Sequence, residues 1–126
     1  MKYLSQFDLL QIRTRLQAET RQSFDVMSTN GLQSALAAPR QAVFGHEVHS
    51  GLINKAAILF SRLIRNHPFY DGNKRIAGEA LRLFLRRNQV ELIASETELL
   101  QYARRIVLED PAQEELEAWI AEHMVR

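Results

Sequence analysis

Nine consecutive residues, His67-Pro68-Phe69-Tyr70-Asp71-Gly72-Asn73-Lys74-Arg75, gather an imidazole, a carboxylate, a glycine and two cations. Asp71-Gly72-Asn73 is a turn signal leading directly into a helical pattern. A helix start presents unpaired backbone N–H groups and the positive end of the helix dipole, which together bind phosphate. Gly72 would let that backbone approach an anion without a side chain in the way. Lys74 and Arg75 put cations in the same first turn, where they are unfavourable for the helix itself. A bound anion would relieve that conflict, and conflicts of this kind mark functional sites. His67 stands across the loop with a side chain able to accept a proton near neutral pH. Asp71 offers a hard oxygen suited to Mg²⁺, which nucleotide phosphates bring with them. The chemistry on offer is transfer of a phosphate-containing group. The plain alternative is a turn, a cap and a solvated Lys-Arg face. Phe69 should pack inward and pin the loop, and Pro68 should stiffen it.

Two buried helices must hold this loop. Leu52, Ile53, Ala56, Leu59, Phe60, Leu63 and Ile64 share one face of a helix that runs to about residue 66. The pattern stops at His67-Pro68 because proline disfavours helical geometry at the residue before it. It resumes with Ile76, Ala77, Ala80, Leu81 and Phe84, which predicts a helix over 73–88. Upstream, Leu9, Ile12 and Leu16 predict a helix over 5–20, and a short one over 32–37 should end before Pro39. Residues 39–50 show no helical period and read as an ordered loop or small hairpin. Residues 90–93 read as extended. Leu99, Tyr102, Ala103 and Ile106 mark another helix, and Pro111 separates it from a last one carrying Leu116, Trp119, Ile120 and Met124, with Trp119 in the core. The fold class is all-α.

The chain's 126 residues suit one domain, 1–126, with a modest core of its own. A hydrophobic share of 46% with 25% charged residues is that of a globular protein, not a disordered tail. The absence of cysteine excludes disulfides, thiolate zinc sites and a cysteine nucleophile. No apolar run reaches membrane-spanning length and the first residues do not form a signal peptide, so the expectation is a cytoplasmic protein with no membrane contact. A net charge of +1 is too small to argue for nucleic acid on its own, and direct nucleic-acid binding is not expected. Arg62, Arg65, Lys74, Arg75, Arg82, Arg86 and Arg87 make the central helices basic while 109–122 is acidic, which reads first as solvated, internally paired faces. His46, Glu47 and His49 have the types but not the spacing of a metal site.

The segment from His67 to Arg75 resembles the signature loop of the Fic/Doc family. The resemblance extends to Leu32-Gln33-Ser34-Ala35-Leu36 with Pro39 and Phe44-Gly45 before it, and to Leu83-Phe84-Leu85-Arg86-Arg87-Asn88 after it. The shortness of the chain is similar to the death-on-curing (Doc) branch. The resemblance implies a single-domain helical Fic/Doc fold with a short flap before the central helix pair. It implies His67 as general base toward a target hydroxyl, and Asp71 as the residue that positions Mg²⁺ on the phosphates of ATP or another nucleoside triphosphate. Gly72 and Asn73 would supply anion-binding backbone groups, with the Asn73 side chain also reaching phosphate. Arg75 would hold a phosphate by paired hydrogen bonds. Residues 41–49, with Phe44, Gly45 and His46, would form the flap that holds the target in extended form.

Relatives that transfer AMP commonly have glycine where this chain has Lys74, and the Doc branch has the same lysine with phosphate transfer. The Doc pattern often has alanine at the position of Gly72, so this loop is intermediate between the two types. No S/T-x-x-x-E-G/N inhibitory pattern is found, which implies restraint by a separate antitoxin. The implied function is a toxin that phosphorylates a Ser/Thr hydroxyl of a cytoplasmic protein, with a translation elongation factor as the implied target. AMP transfer is the alternative chemistry. A non-catalytic module whose basic helices contact RNA or protein is the alternative class.

Overall fold

The computed structural model describes residues 1–20 and 24–125. Six helices occur among the described residues: α1 (Gln6–Thr20), α2 (Thr29–Ala37), α3 (Leu52–Asn66), α4 (Asn73–Arg87), α5 (Glu96–Glu109) and α6 (Gln113–Glu122). A 3-10 turn, Ala38–Arg40, follows α2 and leads into a hairpin of β1 (Ala42–Val43) and β2 (His46–Glu47). A second antiparallel pair joins β3 (Glu91–Leu92) to β4 (Met124–Val125), with Leu92 opposite Met124. The all-α reading holds. Among the described residues, no helix is long and apolar enough to cross a membrane.

The central element is α3, which packs against α2, α4, α5, α6 and the 3-10 turn. Its burial wraps around most of the helix, because Lys55, Ala57, Ile58 and Ser61 are buried along with the expected apolar stripe. Each fully buried Leu or Phe there, such as Leu59 and Phe60, contributes about 1.5–3 kcal/mol relative to exposure. In α4, Ile76, Ala77, Ala80, Leu81 and Phe84 are all within 1% of fully buried. The two helices flanking the loop therefore give it a well-packed frame.

Local chemistry sets the helix ends. Ser5 and Asp8 exchange hydrogen bonds at the start of α1, with Ser5 N–H donating to Asp8 Oδ2 at 2.7 Å. The same carboxylate receives two 2.7 Å bonds from the Arg87 guanidinium, tying α1 to the end of α4. Those bonds, with the Ser5 N–H and hydroxyl, hold the Asp8 carboxyl down to about 2 against the opposing effect of burial. Ser28 caps α2, which begins at Thr29, three residues before the expected start, the Ser28 Oγ accepting from Gly31 N–H. Ser95 and Glu98 form a capping box that starts α5 at Glu96.

One expectation fails at the C-terminus. Met124 does not continue the last helix, which ends at Glu122, but lies in β4. His123 turns the chain: its N–H reaches Ile120 O at 3.1 Å and its carbonyl accepts from Ile93 N–H at 2.6 Å. Pairing with β3 gives the last residues a partner that helical continuation would not.

Candidate active site

The loop between α3 and α4 is built from inward-facing bonds. Pro68 O accepts N–H groups from Met27 (2.8 Å) and Ser28 (3.0 Å), and Tyr70 N–H donates to Asp25 O at 2.8 Å. Val26 and Phe69 form an isolated antiparallel bridge. Phe69 is fully buried, as expected of a residue that pins the loop. Its backbone is gripped from the other side by Asn73, whose Oδ1 accepts from Phe69 N–H at 2.9 Å while its Nδ2 donates to Phe69 O at 2.8 Å. The Asn73 side chain is thus a buried clamp, and the part of its expected phosphate role that remains open belongs to its backbone N–H.

Gly72 is held for a reason the sequence did not suggest. Its φ is 75°, a left-handed conformation that disfavours side chains. A Cβ there would lie 2.9 Å from Phe24 Cδ1 and Cε1, inside the contact distance of a ring that is itself fully buried. The bare Cα thus faces the core, and the glycine is required by packing.

His67 closes α3 in the left-handed region (φ 48°, ψ 55°) and is exposed to solvent. A non-glycine residue there carries about 1–2 kcal/mol of strain, and held strain of this sort clusters at functional sites. Its side chain borders a cavity of about 350 Å³ with Ile64, Arg65, Ile106, Val107 and Asp110. Arg65 and Asp110 form an ion pair at 2.5 Å on that rim.

At the loop's other end α4 starts with no side-chain cap. Ile76 N–H donates to Gly72 O, and among the described residues no acceptor is seen for the backbone N–H groups of Asn73, Lys74 and Arg75. Asp71 is exposed, and its Oδ1 accepts from Gly72 N–H at 2.7 Å. Lys74 is exposed and, among the described residues, in no ion pair. Lys74 and Arg75 border a second cavity of about 270 Å³ with Arg15, Glu19, Glu79 and Glu96. Arg75 is half-buried and donates through Nη2 to Glu96 Oε1 at 2.5 Å, while its Nε finds no partner among the described residues. The structure therefore places His67 and the pair Lys74–Arg75 on separate cavities at the two ends of one rigid loop.

The residues read as a flap form the β1–β2 hairpin, with Ala42 opposite Glu47 and Val43 opposite His46. Phe44 (φ 51°) and Gly45 (φ 80°) make its tip, the backbone that a two-residue hairpin turn requires. Phe44 is 97% exposed and His46 is exposed. Glu47 and His49 are engaged elsewhere: Glu47 with Lys55, and His49 with Asn54, Nδ1 to Oδ1 at 3.2 Å. Among the described residues no cluster of three metal-ligating side chains occurs.

The basic faces are largely paired. Arg82 donates to the carbonyls of Leu92 and Ala94, Arg87 pairs with Asp8 and Arg65 with Asp110. Sequence reasoning missed the contribution of 24–28, although Phe24-Asp25-Val26 alternates apolar and polar residues as a short extended segment does. It also missed Lys55, for which helical periodicity gave no signal.

Comparison with known proteins adds two findings. Residues 3–85 match the Fic/DOC family, a span from before α1 almost to the end of α4. The chain is also 44% identical over 63 residues to Toxin Doc of Mycolicibacterium smegmatis, a match covering 50% of this chain and 48% of that protein. The chain thus spans about half the length of the curated relative it matches.

Proposed function

The chain belongs to the Fic/Doc family, and from that premise we propose that it is a toxin-type enzyme that phosphorylates a Ser/Thr hydroxyl of a protein. The observation that carries the reading is the division of labour along the loop. Its core-facing groups are tied down, while His67, Asp71 and Lys74 are exposed and, among the described residues, the first N–H groups of α4 have no acceptor. Phosphoryl transfer asks a protein mainly for positioning and charge stabilisation, which a preorganised loop supplies.

In this reading His67 takes the proton of the target hydroxyl as its oxygen bonds to the γ-phosphorus. The bond from that phosphorus to the β–γ bridging oxygen breaks, and the nucleoside diphosphate leaves. The N–H groups of Asn73, Lys74 and Arg75 hold phosphate oxygens, with the Lys74 ammonium beside them. Arg75 contributes after giving up Glu96, or through the guanidinium nitrogens that Glu96 leaves free. Asp71 would hold Mg²⁺: one of its oxygens is engaged by Gly72 N–H and the other, among the described residues, has no partner, which fits an ion bound by one carboxylate and phosphates. When bound, the ion neutralises phosphate charge.

Gly72 does not weigh toward AMP transfer, because Phe24 accounts for it. Lys74 is left as the residue that favours phosphoryl transfer. Likeness to a protein named Toxin Doc supports the toxin role and with it an antitoxin partner; a cytoplasmic protein such as a translation elongation factor is the target we propose. The test uses purified protein, cell lysate, Mg²⁺ and ATP labelled at the γ- or the α-phosphate. Label on a protein band from γ-labelled ATP alone is expected. Label from α-labelled ATP alone would replace phosphoryl by AMP transfer, and label from neither, nor from other nucleotides, would overturn the enzyme reading.

A further inference from the structure

Lys55 is the one lysine of the core: its side chain is 2% exposed, at the first turn of α3. Its ammonium donates to Pro39 O at 2.7 Å, in the turn that launches the hairpin, and to Glu47 Oε1 at 3.1 Å, in the strand that ends it. It also lies 5.4 Å from the centre of the Tyr3 ring, which stacks on Phe84 and has the Arg40 guanidinium 5.1 Å away. Burial works against the charge, but Tyr3 and Glu47 more than offset it and raise the Lys55 pKa. Both ends of the hairpin thus converge on one buried cation.

The hairpin has little else to fix it. Residues 41–48 are all exposed. Their mutual bonds, such as Val48 N–H to Gln41 O at 2.9 Å, shape the hairpin without attaching it to the body. Among the described residues its side-chain ties to the helices are Glu47–Lys55 and, just beyond, His49–Asn54, both on the first turn of α3. His67 ends the same helix about 18 Å further on, by the helical rise of 1.5 Å per residue. A straight buried helix therefore connects the base of the hairpin to the proposed base. Glu47 is 54% exposed, so it can leave for water while Lys55 keeps Pro39 O and the Tyr3 ring.

We propose that Lys55 is a positioning residue, which through Glu47 fixes the hairpin on α3 and so sets the grip on the protein substrate without entering the transfer step. This rests on the reading of the hairpin as the target-holding flap.

Glu47→Gln removes the charge and keeps the shape at an exposed position, so folding is preserved. Tryptic cleavage after Arg40, at the hairpin's base, should accelerate roughly fivefold to tenfold, as expected for the net loss of about one ordinary hydrogen bond, with the thermal midpoint lowered by only about 3–6 °C. In the labelled-ATP assay, the half-saturating amount of lysate protein should rise by a similar factor. The maximal rate should stay within about twofold and the half-saturating ATP concentration should not move. Lys55→Met, which also fills the core, should match Glu47→Gln in cleavage if it folds. An unchanged cleavage rate in Glu47→Gln, or a loss of maximal rate with altered ATP dependence, would overturn the proposal. A wild-type protein that transfers no label sinks the functional reading, while the cleavage rates still decide the latch.

Discussion

Replacing Gly72 by alanine tests whether the loop is shaped by the core or by a ligand. The added Cβ meets Phe24 at 2.9 Å on two ring atoms and 3.0 Å on a third, and Phe24 has no exposed surface into which to retreat. Left-handed geometry for alanine costs about 1–2 kcal/mol, and forcing an extra methyl into a packed core costs about 1–3 kcal/mol. The sum is about 2–5 kcal/mol, or roughly 6–20 °C in thermal midpoint for a domain of this size. Urea unfolding followed by far-ultraviolet circular dichroism, without nucleotide, measures it directly. The control is the same change in a Phe24→Leu background, where the smaller side chain makes room. There the alanine penalty should shrink by about 1 kcal/mol or more, since residues in contact couple. A Gly72→Ala protein within about 0.5 kcal/mol of wild type, or one equally destabilised in both backgrounds, would refute the packing argument. Gly72 would then revert to a role in anion approach, and its weight toward AMP transfer would return.

Other changes probe the remaining parts. Asn73→Ala should cost about 2–4 kcal/mol in urea unfolding, because the Phe69 N–H and C=O both lose a buried partner; a loss under 1 kcal/mol would show that the clamp is dispensable. Acid should weaken the protein through Asp8, whose folded pKa of about 2 lies below its ordinary 3.8. That contribution is complete above the unfolded value and is lost as pH falls from about 4 to about 2; with Arg87 36% exposed it amounts to about 1–2 kcal/mol. Asp8→Asn should flatten the stability profile in that window, and an unaltered profile would remove the ion pair from the explanation. His67→Ala should abolish label transfer with an unchanged unfolding curve, and retained transfer would end its assignment as base. For RNA binding by the basic helices, Arg62→Ala with Arg86→Ala is the clean test, since Arg82 supports the carbonyls of Leu92 and Ala94. Wild-type retention on an RNA column that falls in this pair would favour the binding module.

Much of this architecture was legible because periodicity and helix punctuation are local signals. The boundaries of α3 and α4 followed from their apolar stripes and from Pro68, and Phe69 from the habit of aromatics in short interhelical loops. The turn at Phe44-Gly45 was read as part of a loop or small hairpin, and the hairpin formed. What stayed hidden depended on partners distant in sequence. Phe24 lies 48 positions before Gly72, by subtraction of their numbers, and nothing local announces their contact. Lys55 was silent because a lysine on a helix is ordinarily solvated; its burial becomes intelligible once Pro39, Glu47 and Tyr3 surround it. Asn73 was read for its chemistry toward a ligand, whereas the fold uses its amide as a backbone mimic against Phe69. The Ser95-Glu98 capping box was a local signal simply overlooked, and it starts α5 at Glu96.

The two ends of the loop raise a question of assembly, because His67 and Lys74–Arg75 border different cavities. In the proposed reaction a nucleotide confined to the second cavity would leave His67 idle, so the proposal requires a complex that runs across the top of the loop. The loop's inward bonds to 25–28 and to Asn73 hold Pro68, Phe69 and Tyr70 in place between the two cavities. Arg75 is the residue that must choose, since Glu96 already holds one of its terminal nitrogens. Glu96 lies in α5, beyond the 3–85 span that matches the family, so this restraint comes from the chain's own C-terminal part. An exposed carboxylate at 2.5 Å is easily exchanged for a multiply charged phosphate, and the exchange would bring the guanidinium toward the start of α4. Arg75 is therefore better regarded as a group recruited by the nucleotide than as part of the preformed cradle, which consists of the backbone and Lys74.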